Sequence, residues 1–403
     1  MRFTLLAASL LALGVAIGGA AAQDEGPVKI GVLTDMNSLY ADIVGEGAVT
    51  AARLAIEDAG PVLGKPAELI VGDHQNKADV GSTIVRGWYD SGVDMVTEGG
   101  SSAVALAVEE VSRQKQKLVL FVGPASSDIT GPKCSPYAAH WVYDTYALAH
   151  VTGSAIVKAG GATWFFIGAD YAFGHALERD TATVIEQNGG KVLGAVYAPL
   201  NTPDFSSFLL QAQSSKAKII GLANAGGDTI NSIKQGAEFG IAEGGQKFAA
   251  LLMFISDVHS MGLKTAQGLQ FTSAFYWDLN DETRAFSKRF FERVHRMPSM
   301  TQAGVYSATH HYLEAVKATG SKDPLKLMEK MRATPINDFM TQNGTLRVDG
   351  RVVRDMYLFE VKKPQDSKGD WDYLKLVETV PGEQAFRPLD AGGCPLVKKA
   401  AAQ

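Results

Sequence analysis

Val93-Asp-Met-Val-Thr-Glu-Gly-Gly-Ser-Ser-Ala-Val-Ala-Leu-Ala-Val108 reads as a short strand, a glycine elbow and a helix. Gly99 and Gly100 permit a tight turn. Ser101 or Ser102 can cap the helix that follows, and Val104, Val108 and Val111 recur at helical spacing to give it a buried stripe. A helix start leaves backbone N–H groups unpaired and carries partial positive charge. Two serines there add hydroxyl donors, which suits the elbow to a carboxylate. The plainer reading is a capped helix in an α/β domain. The functional reading gains weight because the chain repeats the arrangement.

Upstream lie a strand at Lys29–Leu33, a helix at Gly45–Ala59 with Ala48, Ala51, Ala52 and Ala55 on one face, a strand at Ala67–Val71 and a helix at Val80–Tyr89. Downstream, Lys117–Val122 is a strand followed by Gly123-Pro-Ala-Ser-Ser-Asp128. Strands alternating with helices predict parallel βαβ units, which bind ligands at the carboxyl ends of their strands. The aromatic stretch Tyr137–Asp144 breaks the alternation and reads as a crossing between lobes. The pattern then restarts with strands at Thr163–Gly168, Lys191–Tyr197, Lys218–Ala223 and Phe248–Phe254, and helices at Phe173–Gln187 and Phe205–Ser214. Asn224-Ala-Gly-Gly-Asp228 is a second glycine elbow, at which Asp228 reads as a helix cap.

A strand at Gly268–Phe275 leads into a second crossing at Tyr276-Trp-Asp278, then helices at Glu282–Arg296, Gln302–Thr319 and Asp323–Ala333. Gly344–Arg351 and Arg354–Val361 read as a β-hairpin, with a third crossing near Leu346. The expected division is an N-terminal lobe of residues 28–143 plus 276–345, a C-terminal lobe of 144–275 plus 346–361, and a tail of 362–403 rich in Gly, Pro and charge with no assigned fold.

The net charge of −5, with no basic run in the body of the chain, argues against nucleic acid as a partner. Arg2 is the only early charge before an uncharged, mostly apolar run from Phe3 to Ala22, and Ala20-Ala-Ala22 fits the small-residue cleavage rule. Residues 1–22 therefore read as a cleaved signal peptide; the rival is an uncleaved anchor helix, since the run is near the lower limit for spanning. An exported chain with two cysteines, Cys134 and Cys394, is expected to join them. There is no Gly-x-Ser-x-Gly elbow, no Walker-type loop and no complete Gly-x-Gly-x-x-Gly. His310, His311 and Glu314 suggest a metal, but adjacent histidines point to different helix faces and make poor bidentate geometry. The chain is expected to be neither an enzyme nor a holder of metal or cofactor.

The order and spacing of Lys29–Leu33 with its loop, Gly100–Ala107, Pro124-Ala-Ser-Ser127, Asp170-Tyr-Ala-Phe-Gly174 and Gln302-Ala-Gly-Val-Tyr306 resemble the periplasmic solute-binding proteins of ABC transporters, of the leucine/isoleucine/valine-binding type, over Val28 to Val361. The resemblance implies a type I periplasmic binding protein fold: α/β, two Rossmann-like lobes with parallel central sheets, a three-segment hinge and ligand in the cleft. It implies a periplasmic monomer that hands its ligand to a membrane permease. The positions that match the family's carboxylate loops are Ser101, Ser102, Ala125 and Ser127, with Ser126 between them. Phe173, with Tyr171 beside it, matches the family's aromatic contact, and Asp144 matches its ammonium-binding acid. The acid expected after the Phe248–Phe254 strand matches poorly; Asp257 is near.

A carboxylate needs convergent neutral donors, and an α-amino acid also needs an anion for its ammonium. Asp144, Asp228 or Asp257 are the acids at hand, and Asn224, Tyr40 and Tyr276 complete the expected cleft. The loops are rich in aromatics: Tyr40, Trp141, Tyr143, Tyr146, Tyr171, Phe173, Phe254, Phe275, Tyr276 and Trp277. Half of these are expected in core or hinge. The leading expectation is capture of a small carboxylate such as a branched-chain amino acid. An aromatic carboxylate or an amide or urea-type ligand is the alternative, and a periplasmic sensor or an enzyme is a weaker one.

Overall fold

In the computed structural model, which describes residues 26–400, strands β1 (Lys29–Thr34), β2 (Glu68–Asp73), β3 (Met95–Glu98), β4 (Leu118–Phe121) and β5 (Ala138–His140) form one parallel sheet in the order β2-β1-β3-β4-β5. A second parallel sheet contains β6 (Thr163–Ala169), β7 (Lys191–Ala198), β8 (Ile219–Ala223) and β9 (Lys247–Ala250) in the order β7-β6-β8-β9. The central strands β3, β4 and β8 are buried at every position. That is why β4 and β8 read as continuous apolar runs rather than alternating ones. In each sheet the order reverses beside the first strand, and a crevice opens at the carboxyl ends there. The expected signal peptide, residues 1–22, lies outside the described residues.

Helices α1 (Gly45–Ala59), α2 (Ala78–Asp90) and α3 (Ser102–Lys115) cover the first sheet. The helix Met300–Thr319 returns from far along the chain to pack on α1, at a spacing that only small residues allow. A Cβ on Gly47 would fall 2.2 Å from the Gln302 amide nitrogen, and one on Gly304 2.2 Å from Val142 Cγ2. Ser299 and Thr301 both donate to the Ile43 carbonyl at 2.7 Å. On the outer side, Arg289 forks onto Asp58 and Arg293 onto Glu57.

Three features depart from the sequence expectations. Residues 344–361 are not one hairpin. β11 (Ile336–Asp338), β12 (Thr341–Leu346) and β13 (Val352–Val353) form a small antiparallel sheet beside the first lobe, where the His140 N–H donates to the Gly350 carbonyl at 2.8 Å. β14 (Met356–Val361) instead pairs with β10 (Gln270–Ser273) on one side and with β15 (Leu374–Val380) on the other. The third passage between lobes therefore runs between Val353 and Met356, not near Leu346. Second, the strand expected at Phe248–Phe254 ends at Ala250, and a helix follows at Ile255–Met261. Third, the tail is structured. It supplies β15, buries Trp371 and Tyr373 in the second lobe's core, and carries Cys394, joined to Cys134 at a Cα separation of 5.7 Å. A helical stretch over Thr145–Lys158, unforeseen in the sequence, follows the first passage.

Candidate functional site

The loops at the carboxyl ends of both sheets close around one narrow cavity. Tyr40, Ile43 and Val44 follow β1; Gly100 and Ser102 follow β3; Gly123 and Ala125 follow β4; Tyr143 follows β5. From the other lobe come Tyr171 and Phe173 after β6, Ala225 after β8, and Leu252 and Phe254 after β9. Five aromatic rings and three branched aliphatic side chains form the wall. Neither lysine nor arginine lines it, and neither aspartate nor glutamate does. Its polar atoms are hydroxyls and backbone groups.

The lobes meet directly at this cavity. The Tyr40 and Tyr171 hydroxyls are 2.8 Å apart, one donating to the other. The loop that carries Tyr40 is fixed by Asp35, whose carboxylate accepts from the Tyr40 and Ser38 N–H groups and from the Asn76 amide. Tyr143 donates to the Gly123 carbonyl at 2.6 Å, and its ring meets Phe254 edge-on at 6.4 Å. Burial raises the pKa of all three tyrosines above the ordinary phenol value, so they stay protonated.

The serine loops are arranged differently from a set of free donors. Ser102 Oγ accepts from the Ala125 and Ser126 N–H groups, both at 3.1 Å, and so ties the two loops together. Its own proton remains to donate. Ser101 makes no side-chain cap, and its N–H donates to Glu98 Oε1 at 3.2 Å. Ser126 Oγ accepts from the Asp128 N–H. Ser127 turns to the other lobe, donating to Asp180 Oδ2 at 2.7 Å, while Arg179 reaches both Ser127 Oγ and Asp128. Asp180 also accepts from Thr145 Oγ1. Behind this loop, the His140 ring donates from Nε2 to the Pro124 carbonyl at 2.7 Å.

None of the three acids considered for an ammonium lines the cavity, and each already has a partner. Asp144 accepts from the Ala147 N–H at 2.8 Å and lies 3.6 Å from Arg351. Asp257 accepts from the Phe254 N–H at 2.9 Å, and burial pushes its pKa up to about 7. Asp228 holds the Asn201 and Thr202 N–H groups, with burial raising its pKa to about 6. Its expected role as a cap for its own helix is replaced by this hold on a neighbouring loop. Asn224 is bonded to Thr229 and Ser232. Tyr276 packs in the second core and donates to the Trp371 carbonyl. Of the twelve expected ligand residues, the cavity brings together Tyr40, Ser102, Ala125, Tyr171 and Phe173. It adds Ile43, Val44, Ala225 and Leu252, which sequence reasoning did not single out. Their only signal was position just beyond a strand end.

The buried guanidinium of Arg351 knits the hinge. It donates to the Tyr143 carbonyl at 2.9 Å and lies 4.8 Å above the Phe386 ring of the tail. Burial lowers its pKa to about 10. At the histidine pair, the His311 ring donates to the Met331 carbonyl and His310 stacks on Tyr306. Among the described residues, no group of three metal-ligating side chains converges, and no helix is long and apolar enough to cross a membrane.

Comparison with known proteins places this geometry. The family model described as periplasmic binding protein matches residues 27–370. A periplasmic binding protein from Burkholderia mallei is 52% identical, with a TM-score of 0.90 over 92% of this chain and 99% of that one. A structure described as a branched chain amino acid ABC transporter periplasmic ligand-binding protein, from Burkholderia xenovorans, is 42% identical, with a TM-score of 0.82 over the same shares. A solute-binding protein from Rhodopseudomonas palustris, solved in complex with benzoate, shares the fold at 20% identity and a TM-score of 0.80, over 92% of this chain and 100% of that one. This chain belongs to the periplasmic binding protein family.

Proposed function

We propose that the chain is the substrate-binding component of an ABC importer and that its cleft takes a small aromatic carboxylate. One observation carries the reading: the interlobe cavity is walled by five aromatic rings and aliphatic side chains, with no charged side chain among them. A planar ring fits such walls through dispersion and edge-to-face contacts. The polar end of the ligand would meet two hydroxyl protons. One is that of Ser102, whose oxygen is already engaged as an acceptor. The other belongs to whichever of Tyr40 and Tyr171 accepts from its neighbour. The partial positive charge at the start of α3 adds to them. A zwitterionic amino acid would find the same donors for its carboxylate but no carboxylate on the wall for its ammonium, and an unpaired buried ammonium is costly. The second reading, a branched-chain amino acid, is favoured by the name of the Burkholderia xenovorans relative. It requires a carboxylate to leave its present partner and turn inward.

Ligand bound only to the folded state raises the melting temperature through linkage. A thermal-shift screen of benzoate, 4-hydroxybenzoate, phenylacetate, leucine, isoleucine and valine on the mature chain tests the reading. Stabilisation by the aromatic acids and not by the amino acids is the expected result; stabilisation by the aliphatic amino acids alone would overturn it.

A further inference from the structure

Gly100 separates the cavity from a buried acid–imidazole pair. It lines the cavity on one side. On the other, a Cβ added to it would fall 2.5 Å from His74 Nε2 and 3.3 Å from Glu98 Oε1. His74 and Glu98 are fully buried, and their facing atoms are 3.4 Å apart. The imidazole's protonation is fixed by geometry. His74 Nδ1 accepts the Asn76 N–H at 2.9 Å, so it carries no proton; the proton is on Nε2, facing Glu98. Glu98 Oε1 receives the Ser101 N–H, whereas Glu98 Oε2 is buried without a hydrogen-bond partner.

We propose that an anionic ligand enters this cleft together with one proton, taken from solvent and held on Glu98. The inference rests on the carboxylate reading given above. A ligand carboxylate at Ser102 adds a second negative charge on the far side of a single glycine from Glu98, with neither lysine nor arginine in the wall to offset it. Two carboxylates so placed cannot both stay ionised at ordinary cost. The ligand, whose charge is met by the hydroxyl donors and the helix start, keeps its charge. Glu98 forms an O–H bond at Oε2, the oxygen that nothing else occupies. His74 Nδ1 is a poorer place for the proton, because a proton there would break the bond from the Asn76 N–H.

The charged and titratable groups facing the pair agree with this. Burial raises the pKa of Glu98, opposed chiefly by His74 and then by the Gly100 and Ser101 N–H groups. Across the cavity, Tyr143 and Tyr171 both sense the Glu98 charge, and Tyr143 also senses Asp257. Beside the His74 loop, Asp35 and Asp73 are already bonded, Asp35 to Ser38, Tyr40 and Asn76, and Asp73 to Met36 and Gln75. Asp257, beside Tyr143, and Asp228, beside Tyr40 and Tyr171, are the other buried acids close enough to compete for the proton.

Calorimetric titration of the mature chain with benzoate, at one pH near 7.5 in buffers of different ionisation enthalpy, counts the protons taken up. The expected result is about one proton per benzoate in the unmodified chain and a dissociation constant that rises roughly tenfold per pH unit over the window in which Glu98 releases its proton. Uptake should fall close to zero in Glu98→Gln and persist in Asp257→Asn and in Asp228→Asn. Binding with no proton uptake in the unmodified chain overturns the inference and leaves the carboxylate reading standing. Uptake kept in Glu98→Gln, whichever of Asp257→Asn and Asp228→Asn loses it, places the proton elsewhere and overturns it too. Absence of any benzoate binding overturns the underlying reading, and the inference with it. Should Glu98→Gln fail to fold, the uptake count and the Asp257→Asn and Asp228→Asn results still decide.

Discussion

The hydroxyls of Tyr40 and Tyr171, 131 residues apart in the chain, touch at 2.8 Å across the cleft. Each lies at the carboxyl end of the first strand of its own sheet, so the contact joins equivalent points of two similar lobes. It is both part of the cavity wall and a clasp between the lobes. A neutral hydrogen bond of this kind contributes roughly 0.5–1.5 kcal/mol. Tyr40→Phe and Tyr171→Phe are each expected to speed ligand release about two- to tenfold by that scale, with association little changed. Stopped-flow or surface-binding kinetics check this; unchanged release rates in both variants would deny the clasp.

Ser102 and Ser127 are expected to behave differently, although the sequence presents them as equals. Ser102→Ala leaves the Ala125 and Ser126 N–H groups without their acceptor and removes a donor from the cavity. Each orphaned buried donor costs about 1–3 kcal/mol, so both the melting temperature and the affinity should fall. Ser127→Ala removes a bond to Asp180 and one from Arg179, and nothing from the cavity wall. Its effect should be confined to closure, with a loss of affinity of about threefold or less on the same hydrogen-bond scale. Parallel melts and titrations of the two variants decide.

The two-lobed architecture was legible because β4 and β8 are buried on both faces and keep unbroken apolar runs, and because glycine elbows end β3, β4 and β8. The third passage was misplaced because Leu346 and Val352 alternate with polar residues as a hairpin would; only contact with β5 shows which lobe they join. Ser101, Ser126 and Ser127 carried the right chemistry for a carboxylate. Their spacing could not show that Glu98, Asp128 and Asp180 engage them first. The same holds for Asp144 and Asp257, each of which accepts a backbone N–H three residues away in the chain. Ile43, Val44 and Leu252 look like core in sequence, and nothing local distinguishes an apolar wall from an apolar interior.

Asp257 makes stability depend on pH. Its folded pKa of about 7 lies above the ordinary carboxylate value of 3.8, because burial penalises the charge. Between those values the folded state binds more protons than the unfolded chain, so stability falls as pH rises through that window. Asp228, raised to about 6, acts in the same direction. Asn at position 257 keeps an oxygen for the Phe254 N–H and cannot ionise. Asp257→Asn should therefore flatten the decline in denaturant midpoint between about pH 4 and 7, and a variant curve parallel to the parent would contradict this.

Cys134–Cys394 closes a loop with a sequence separation of 260 and holds residues 382–394 against the hinge, where Arg387 donates to the Ser127 carbonyl. Replacing both cysteines by serine is expected to cost about 2–5 kcal/mol and to leave the cavity wall intact. Chemical denaturation should show the loss, and benzoate affinity should change by no more than about threefold, under 1 kcal/mol.

Calorimetric titration of the mature chain with benzoate and with leucine, side by side, tests the central claim most directly. The uncharged wall of Tyr40, Tyr143, Tyr171, Phe173 and Phe254 predicts saturable binding of benzoate at one site per chain and an affinity for leucine at least about tenfold weaker, a difference of 1.4 kcal/mol. Tight binding of leucine with no detectable heat from benzoate would contradict it.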